Sequence, residues 1–105
     1  RIPMKTDRGQ FWLEMNEILY VEIVARHLQI HTETQVLRCN EPLQNIQAIL
    51  DERFFRCHVA YLVNMDYVRQ IRKSTVFVGE DQLLISKYRR KEFMEALTKH
   101  VGRLL

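Results

Sequence analysis

The 105-residue sequence is poor in the residues that punctuate or crosslink a chain: it has three glycines, two prolines and two cysteines. Gly9, Gly79 and Gly102 lie far apart and form no phosphate-cradling loop. Cys39 and Cys57 lack CxxC spacing, which removes the usual zinc and dithiol motifs and leaves two free thiols in a reducing compartment as the expectation. No apolar run approaches the length of a membrane span and no signal-peptide pattern is present, so this domain is expected to make no membrane contact and to work in the cytoplasm. Strands do not alternate with helices, which argues against a parallel sheet, and no two helical stretches adjoin to build a helix-turn-helix. There is no internal repeat and no low-complexity segment. The first residue is Arg1 rather than methionine, so the expectation is a piece of a longer protein.

What is present fits one globular domain, 47% apolar and 28% charged, spanning residues 1–105. The net charge of +3 is unevenly spread. Residues 1–52 carry five Lys/Arg against eight Asp/Glu, whereas residues 53–105 carry eleven against five. A basic half suggests a polyanionic partner for one face; a solvated basic helix is the plainer reading of the same asymmetry.

Along the chain, Pro3, Asp7 and Gly9 interrupt residues 1–10, predicting at most a short edge strand there. Phe11–Met15 alternates, Asn16-Glu17 reads as a turn, and Ile18–Val24 is a nearly continuous β-prone run, as in a strand covered on both faces. Leu28–Thr32 and Val36–Cys39 form a hairpin across Glu33-Thr34-Gln35. Asn40-Glu41-Pro42 starts a helix of about three turns with Leu43, Ile46, Ile49 and Leu50 as its core stripe. Val68–Arg72, Thr75–Val78 and Gln82–Ile85 read as strands. Ser86 is placed to cap a last helix that docks through Phe93, Leu97 and Val101, with Met94 beside them and Gly102 weakening its end.

The stretch Phe54–Asn64, Phe-Phe-Arg-Cys-His-Val-Ala-Tyr-Leu-Val-Asn, organises the rest. Arg56 and His58 stand two apart and on a regular strand share a face, either as a presented pair or as a hydrogen-bonded cluster within a sheet. Cys57 and His58, as neighbours, would face oppositely, which disfavours a nucleophile–base pair. His27 and His31 have the H-x3-H spacing of a helical metal pair but lie in a period-2 run, about 13 Å apart on a strand and too far to share an ion. No cofactor, metal or catalytic group is expected.

Outside that stretch the densest chemistry is Lys87, Arg89, Arg90 and Lys91 at the start of the last helix. Cations there oppose the helix dipole, an arrangement that a phosphate backbone would resolve and that a tolerated surface cluster would also explain.

Phe54, Arg56, His58, Tyr61, Val63 and Asn64 resemble the core signature of the LytTR (LytR/AlgR-type) DNA-binding domain of bacterial response regulators, Phe-x-Arg-x-His-x-Ser-aromatic-x-Val-Asn. Ile18-Leu19-Tyr20-Val21-Glu22, Leu50 and Leu84-Ile85-Ser86-Lys87 extend the similarity over roughly residues 10 to 103. Val59 and Ala60 depart from it, standing where the family often has a basic or amide residue and a serine, and Tyr88 stands where it often has arginine. The resemblance implies a mainly β fold of small stacked antiparallel sheets with a short central helix and a C-terminal helix. It implies sequence-specific binding of double-stranded DNA at promoter direct repeats, with side chains from loops entering successive major grooves, and a possible homodimer on the DNA. Residues 1–9 would then be the remnant of a linker from an upstream receiver domain. Carried over by position, Arg26 and His27 form a first contact group, His58 and Val59 a second, and Lys87, Tyr88 and Arg89 a third, with Arg56 buttressing the second loop. The alternative is a protein-interaction module that keeps the fold but binds DNA weakly.

Overall fold

The computed structural model describes residues 1–104, with side chains described up to Gly102. Ten strands, β1 (Ile2–Thr6), β2 (Gly9–Leu13), β3 (Ile18–Val24), β4 (His27–Thr32), β5 (Val36–Cys39), β6 (Phe54–His58), β7 (Tyr61–Asn64), β8 (Val68–Arg72), β9 (Thr75–Val78) and β10 (Asp81–Leu84), accompany two helices, α1 (Leu43–Ile49) and α2 (Arg90–Leu104). All pairing is antiparallel. One sheet has seven strands in the order β2-β1-β5-β4-β3-β7-β6; the other has three, β10-β9-β8. The mainly β architecture with a central and a C-terminal helix is the one the sequence implies.

The large sheet is a wall between two apolar cores. On one side Ile2, Met4, Val21, Ile30, Leu37 and Leu62 pack with Ile46 of α1. On the other, Tyr20, Cys57 and Val63 meet Val76, Val78 and Leu83 of the small sheet and Phe93 of α2. The apolar run of β3 has this cause: a strand covered on both faces cannot alternate with polar residues. Among the described residues Asn64 is the one fully buried side-chain amide, and it is satisfied at both ends. Its Nδ2 donates to the Ile18 carbonyl at 2.9 Å, and its Oδ1 accepts from the Asp66 N–H at 3.0 Å. Removing the amide would orphan a buried carbonyl, at a cost of about 1–3 kcal/mol.

Several local expectations change. The first segment is not an edge: β1 lies inside the sheet between β2 and β5, with Ile2 and Met4 buried, and β2 takes the edge. The Pro3 ring is accommodated because β1 is short and touches β5 in register only at Thr6–Cys39. Helix α1 has seven residues, about two turns, rather than three. Leu50 caps it in an extended conformation, so the stripe breaks: Ile46 is buried, Leu43 and Leu50 pack partly, and Ile49 is 44% exposed. On α2 the buried face runs through Phe93, Ala96, Leu97 and His100, while Met94 and Val101 face outward. His100 turns inward because its Nε2 bonds to the Asp66 carboxylate, a polar anchor that apolar periodicity does not reveal. The helix continues through Gly102 to Leu104.

Tyr20 joins the two sheets. Its hydroxyl donates to Asp81 Oδ2 at 2.8 Å, its ring stacks on His31 at 4.1 Å, and Tyr61 meets it edge-on at 6.2 Å. Burial first, and then the Asp81 carboxylate, push the Tyr20 phenol far above its ordinary value of 10.0. The unfolded chain can ionise this phenol from about pH 10 upward while the folded one cannot, so Tyr20 withdraws stability as pH rises through that range. Tyr20→Phe removes one charge-assisted hydrogen bond and should lower stability by about 1.5–3 kcal/mol at neutral pH. Urea titrations at pH 7 and pH 10.5 test both effects: the variant should lose less stability than the wild type between the two, and equal losses would show that Tyr20 does not set the alkaline limb.

Candidate nucleic-acid interface

Strands β4, β3, β7 and β6 are adjacent, and two of their turns emerge at the same end of the large sheet. The β3–β4 turn is Ala25–Arg26, closed by the Val24–His27 pair. Ala25 sits at φ 40°, where glycine is the usual choice. The β6–β7 turn is Val59–Ala60, closed by His58–Tyr61. The two turns are tied together because the Ile23 N–H donates to the Ala60 carbonyl at 2.8 Å, carrying the β3–β7 ladder one residue further.

The third group joins from the opposite side. The Ser86 N–H donates to the Cys57 carbonyl at 2.8 Å, on the free edge of β6. Residues 87–89 follow as a turn, and α2 begins only at Arg90. Lys87 and Arg89 therefore precede the helix rather than occupying its first turn. The Arg89 carbonyl takes the first helical bond, from the Phe93 N–H at 2.9 Å, and the Arg89 N–H itself donates to the Ser86 carbonyl at 3.1 Å. Stacked Phe55 and Phe93 rings, 5.4 Å apart, hold α2 on β6. The structure thus brings together all three sequence-derived groups at one end of the fold.

Within this row, Arg26, Val59, Lys87 and Tyr88 are exposed, and His27, His58 and Arg89 are half-buried. Tyr88 is 91% exposed and Val59 61%, a large apolar surface for side chains with no partner among the described residues. His58 has a defined tautomer: the Ala60 N–H donates to its Nδ1 at 3.0 Å, so the neutral ring carries its proton on Nε2. His58 therefore offers one N–H donor outward, with its ring 5.4 Å from that of Tyr61. Arg56 holds the turn from behind, its Nη2 donating to the Val59 carbonyl at 2.7 Å. Burial first, and then the nearby Arg89, lower the Arg56 pKa below the usual arginine value. Like charges are thus crowded here, and among the described residues Arg26, Arg56, Lys73, Lys87, Arg89, Arg90 and Lys91 make no ion pair within 4.0 Å.

The shared-face reading of Arg56 and His58 does not hold. A β-bulge falls between them, so Arg56 pairs with Leu62 while His58 pairs with Tyr61. Leu62 belongs to one core and Tyr61 packs against the other, which sends Arg56 and His58 to opposite faces. The bulge also voids the orientation argument against a Cys57–His58 pair, but a stronger one replaces it. The Cys57 thiol is fully buried, is pushed up to about 11 chiefly by burial, and points its Sγ at the Leu84 carbonyl 3.7 Å away. It lacks the exposure and the thiolate character of a nucleophile. His31 is committed to Tyr20 and to Glu22, 3.0 Å away, and no group of metal-ligating side chains forms among the described residues. The β8–β9 turn, Lys73–Ser74, fills the gap between the strands read at Val68–Arg72 and Thr75–Val78, but its position beside residues 85–90 had no signal in the sequence.

The family model of the LytTr DNA-binding domain matches residues 8–98. No curated protein sequence matches the chain. Among solved structures, the fold is similar to the LytTr DNA-binding domain of a protein described as a methyl-accepting/DNA response regulator from Bacillus cereus, with a TM-score of 0.78 at 20% identity, covering 91% of this chain and 94% of that one.

Proposed function

The chain belongs to the LytTR family of DNA-binding domains, and from that premise we propose that it is the output domain of a bacterial transcriptional response regulator that reads double-stranded DNA through three aligned turns. The observation that carries this reading is the row itself: Arg26, His58 and Arg89 stand at three turns joined by backbone hydrogen bonds at one end of the fold, and among the described residues neither arginine has a carboxylate within 4.0 Å. Five strand-like positions at sheet spacing give the row a breadth of about 20 Å. That breadth exceeds a single major groove, about 12 Å wide, and in this reading side chains of the three groups enter successive major grooves on one face of the duplex. The same reading places the protein in the cytoplasm, downstream of a receiver domain, on promoter direct repeats that two copies can occupy together.

Roles follow from chemistry. Arg26 and Arg89 suit bidentate contact with guanine O6 and N7, and His58 donates through Nε2 to a purine N7, guanine O6, thymine O4 or phosphate oxygen. Val59 can contact a thymine methyl. Tyr88 offers a ring and a hydroxyl. His27, half-buried behind Arg26, donates to phosphate or orients its neighbour.

The second reading, a protein-interaction module with weak DNA affinity, draws on exposed Val59 and Tyr88. A mobility-shift titration on promoter DNA at two salt concentrations separates the two. About four to six neutralised phosphates should give a log–log salt slope of roughly −4 to −5. No binding at low salt, or a slope near zero, would sink the DNA-binding reading.

His58→Ala should cost specific affinity about 1–3 kcal/mol and weaken folding less, because the folded state loses the local bond from Ala60 and the ring contact with Tyr61 but no buried core side chain. Parallel melting and binding curves decide this: a large melting loss with a proportionate affinity loss would make His58 a packing residue.

Lys87→Gln combined with Arg89→Gln removes two cations from the approach to the α2 N-terminus. Stability should stay level or rise by up to about 1 kcal/mol. Affinity should fall by about 1–3 kcal/mol and the salt slope should flatten by about one or two. Lower stability with constant affinity would mean that the cluster serves the fold instead.

A further inference from the structure

The row of turns continues beyond the three groups. The β8–β9 hairpin turns at Lys73–Ser74, and both of its carbonyls are fastened to the segment that carries Lys87 and Arg89. The Ile85 N–H donates to the Ser74 carbonyl at 2.7 Å, and the Arg90 guanidinium donates to the Lys73 carbonyl. The same short segment bonds through Ser86 to Cys57 on its other side. Lys73–Ser74 is therefore the next turn in line, contributed by the second sheet, at the same end of the molecule.

Three observations mark Lys73 within it. Its side chain is exposed, with no carboxylate within 4.0 Å among the described residues. Its backbone lies at φ 55°, the left-handed region that glycine or asparagine occupies with less strain. The preceding residue, Arg72, lies with its guanidinium 5.8 Å from the Phe77 ring centroid, so a second cation stands in the same hairpin. A long cationic side chain kept at a strained turn position, beside other unpaired cations, is a local inconsistency of the kind that function explains.

We propose that Lys73 is a backbone-phosphate contact and that the Lys73–Ser74 turn is a fourth DNA-facing element, set beside residues 87–89. The inference rests on the DNA-binding reading above and adds to it a residue outside the three groups. A single ammonium on an exposed, flexible stem suits a phosphate, which needs charge rather than a planar fork, so the contact contributes affinity without base preference. Arg90 acts here through the turn: by holding the Lys73 carbonyl it keeps the hairpin against the start of α2.

The test uses Lys73→Gly and Lys73→Arg, titrated with mixed-sequence double-stranded DNA over a range of salt. Lys73→Gly removes the charge, relaxes the positive φ and keeps the carbonyl that Arg90 binds. Its melting temperature should be unchanged or higher, its salt slope should be shallower by about 0.9, and its affinity at 0.1 M salt should be roughly eightfold lower, the value of one released counterion. Lys73→Arg should keep the wild-type slope. A Lys73→Gly protein that binds with wild-type slope and affinity overturns the inference alone. A Lys73→Arg protein as weak as Lys73→Gly overturns it too, because charge would then not be what matters. Absence of wild-type binding at low salt overturns this inference together with the DNA-binding reading.

Discussion

A sheet buried on both faces leaves its backbone no solvent to bond with along its middle strands, so pairing must be complete there. β3 and β7 are in that position, with one core packed on each side. Asn64 belongs to the same constraint: where β7 ends and the chain turns back inside the protein, a side-chain amide supplies the bonds that a further strand residue would have made. Tyr20 and Asp81 then fasten the second sheet to the wall, and the His100–Asp66 contact fixes the far end of α2. The exposed turns are held by this frame and contribute little to it.

Much of this was legible in the sequence because the signals are local. The nearly continuous Ile18–Val24 run announces a strand with two covered faces, and β3 occupies those residues. The paired hairpins follow from short polar gaps between β-prone runs. At the site, Phe54–Asn64 and its family likeness placed three groups of side chains that the fold does bring to one end.

What was hidden depends on partners distant in the chain. Nothing near Pro3 tells that β1 will be sandwiched between β2 and β5, since that order is decided by a hairpin packing over a core built from residues 18–62. The bulge at Cys57 reverses the faces of Arg56 and His58, and a bulge leaves no mark in a pattern of period 2. The outward turn of Val101 and the inward turn of His100 follow from a carboxylate thirty-four residues earlier. The position of the Lys73–Ser74 turn likewise depends on Ile85 and Arg90, which hold its carbonyls, rather than on its own surroundings in sequence.

The ties between neighbouring turns, Ile23 to Ala60 and Ser86 to Cys57, run between main-chain atoms. Their consequence is that the spacing of the row is written in the backbone, while the chemistry it presents is written in side chains. Replacing the side chain of His58, Val59 or Tyr88 changes what the row presents and leaves those main-chain ties in place. Single substitutions in the turns therefore change the surface that the row presents without changing the distance between its turns, and a change of spacing requires altered strand register, which the two cores resist.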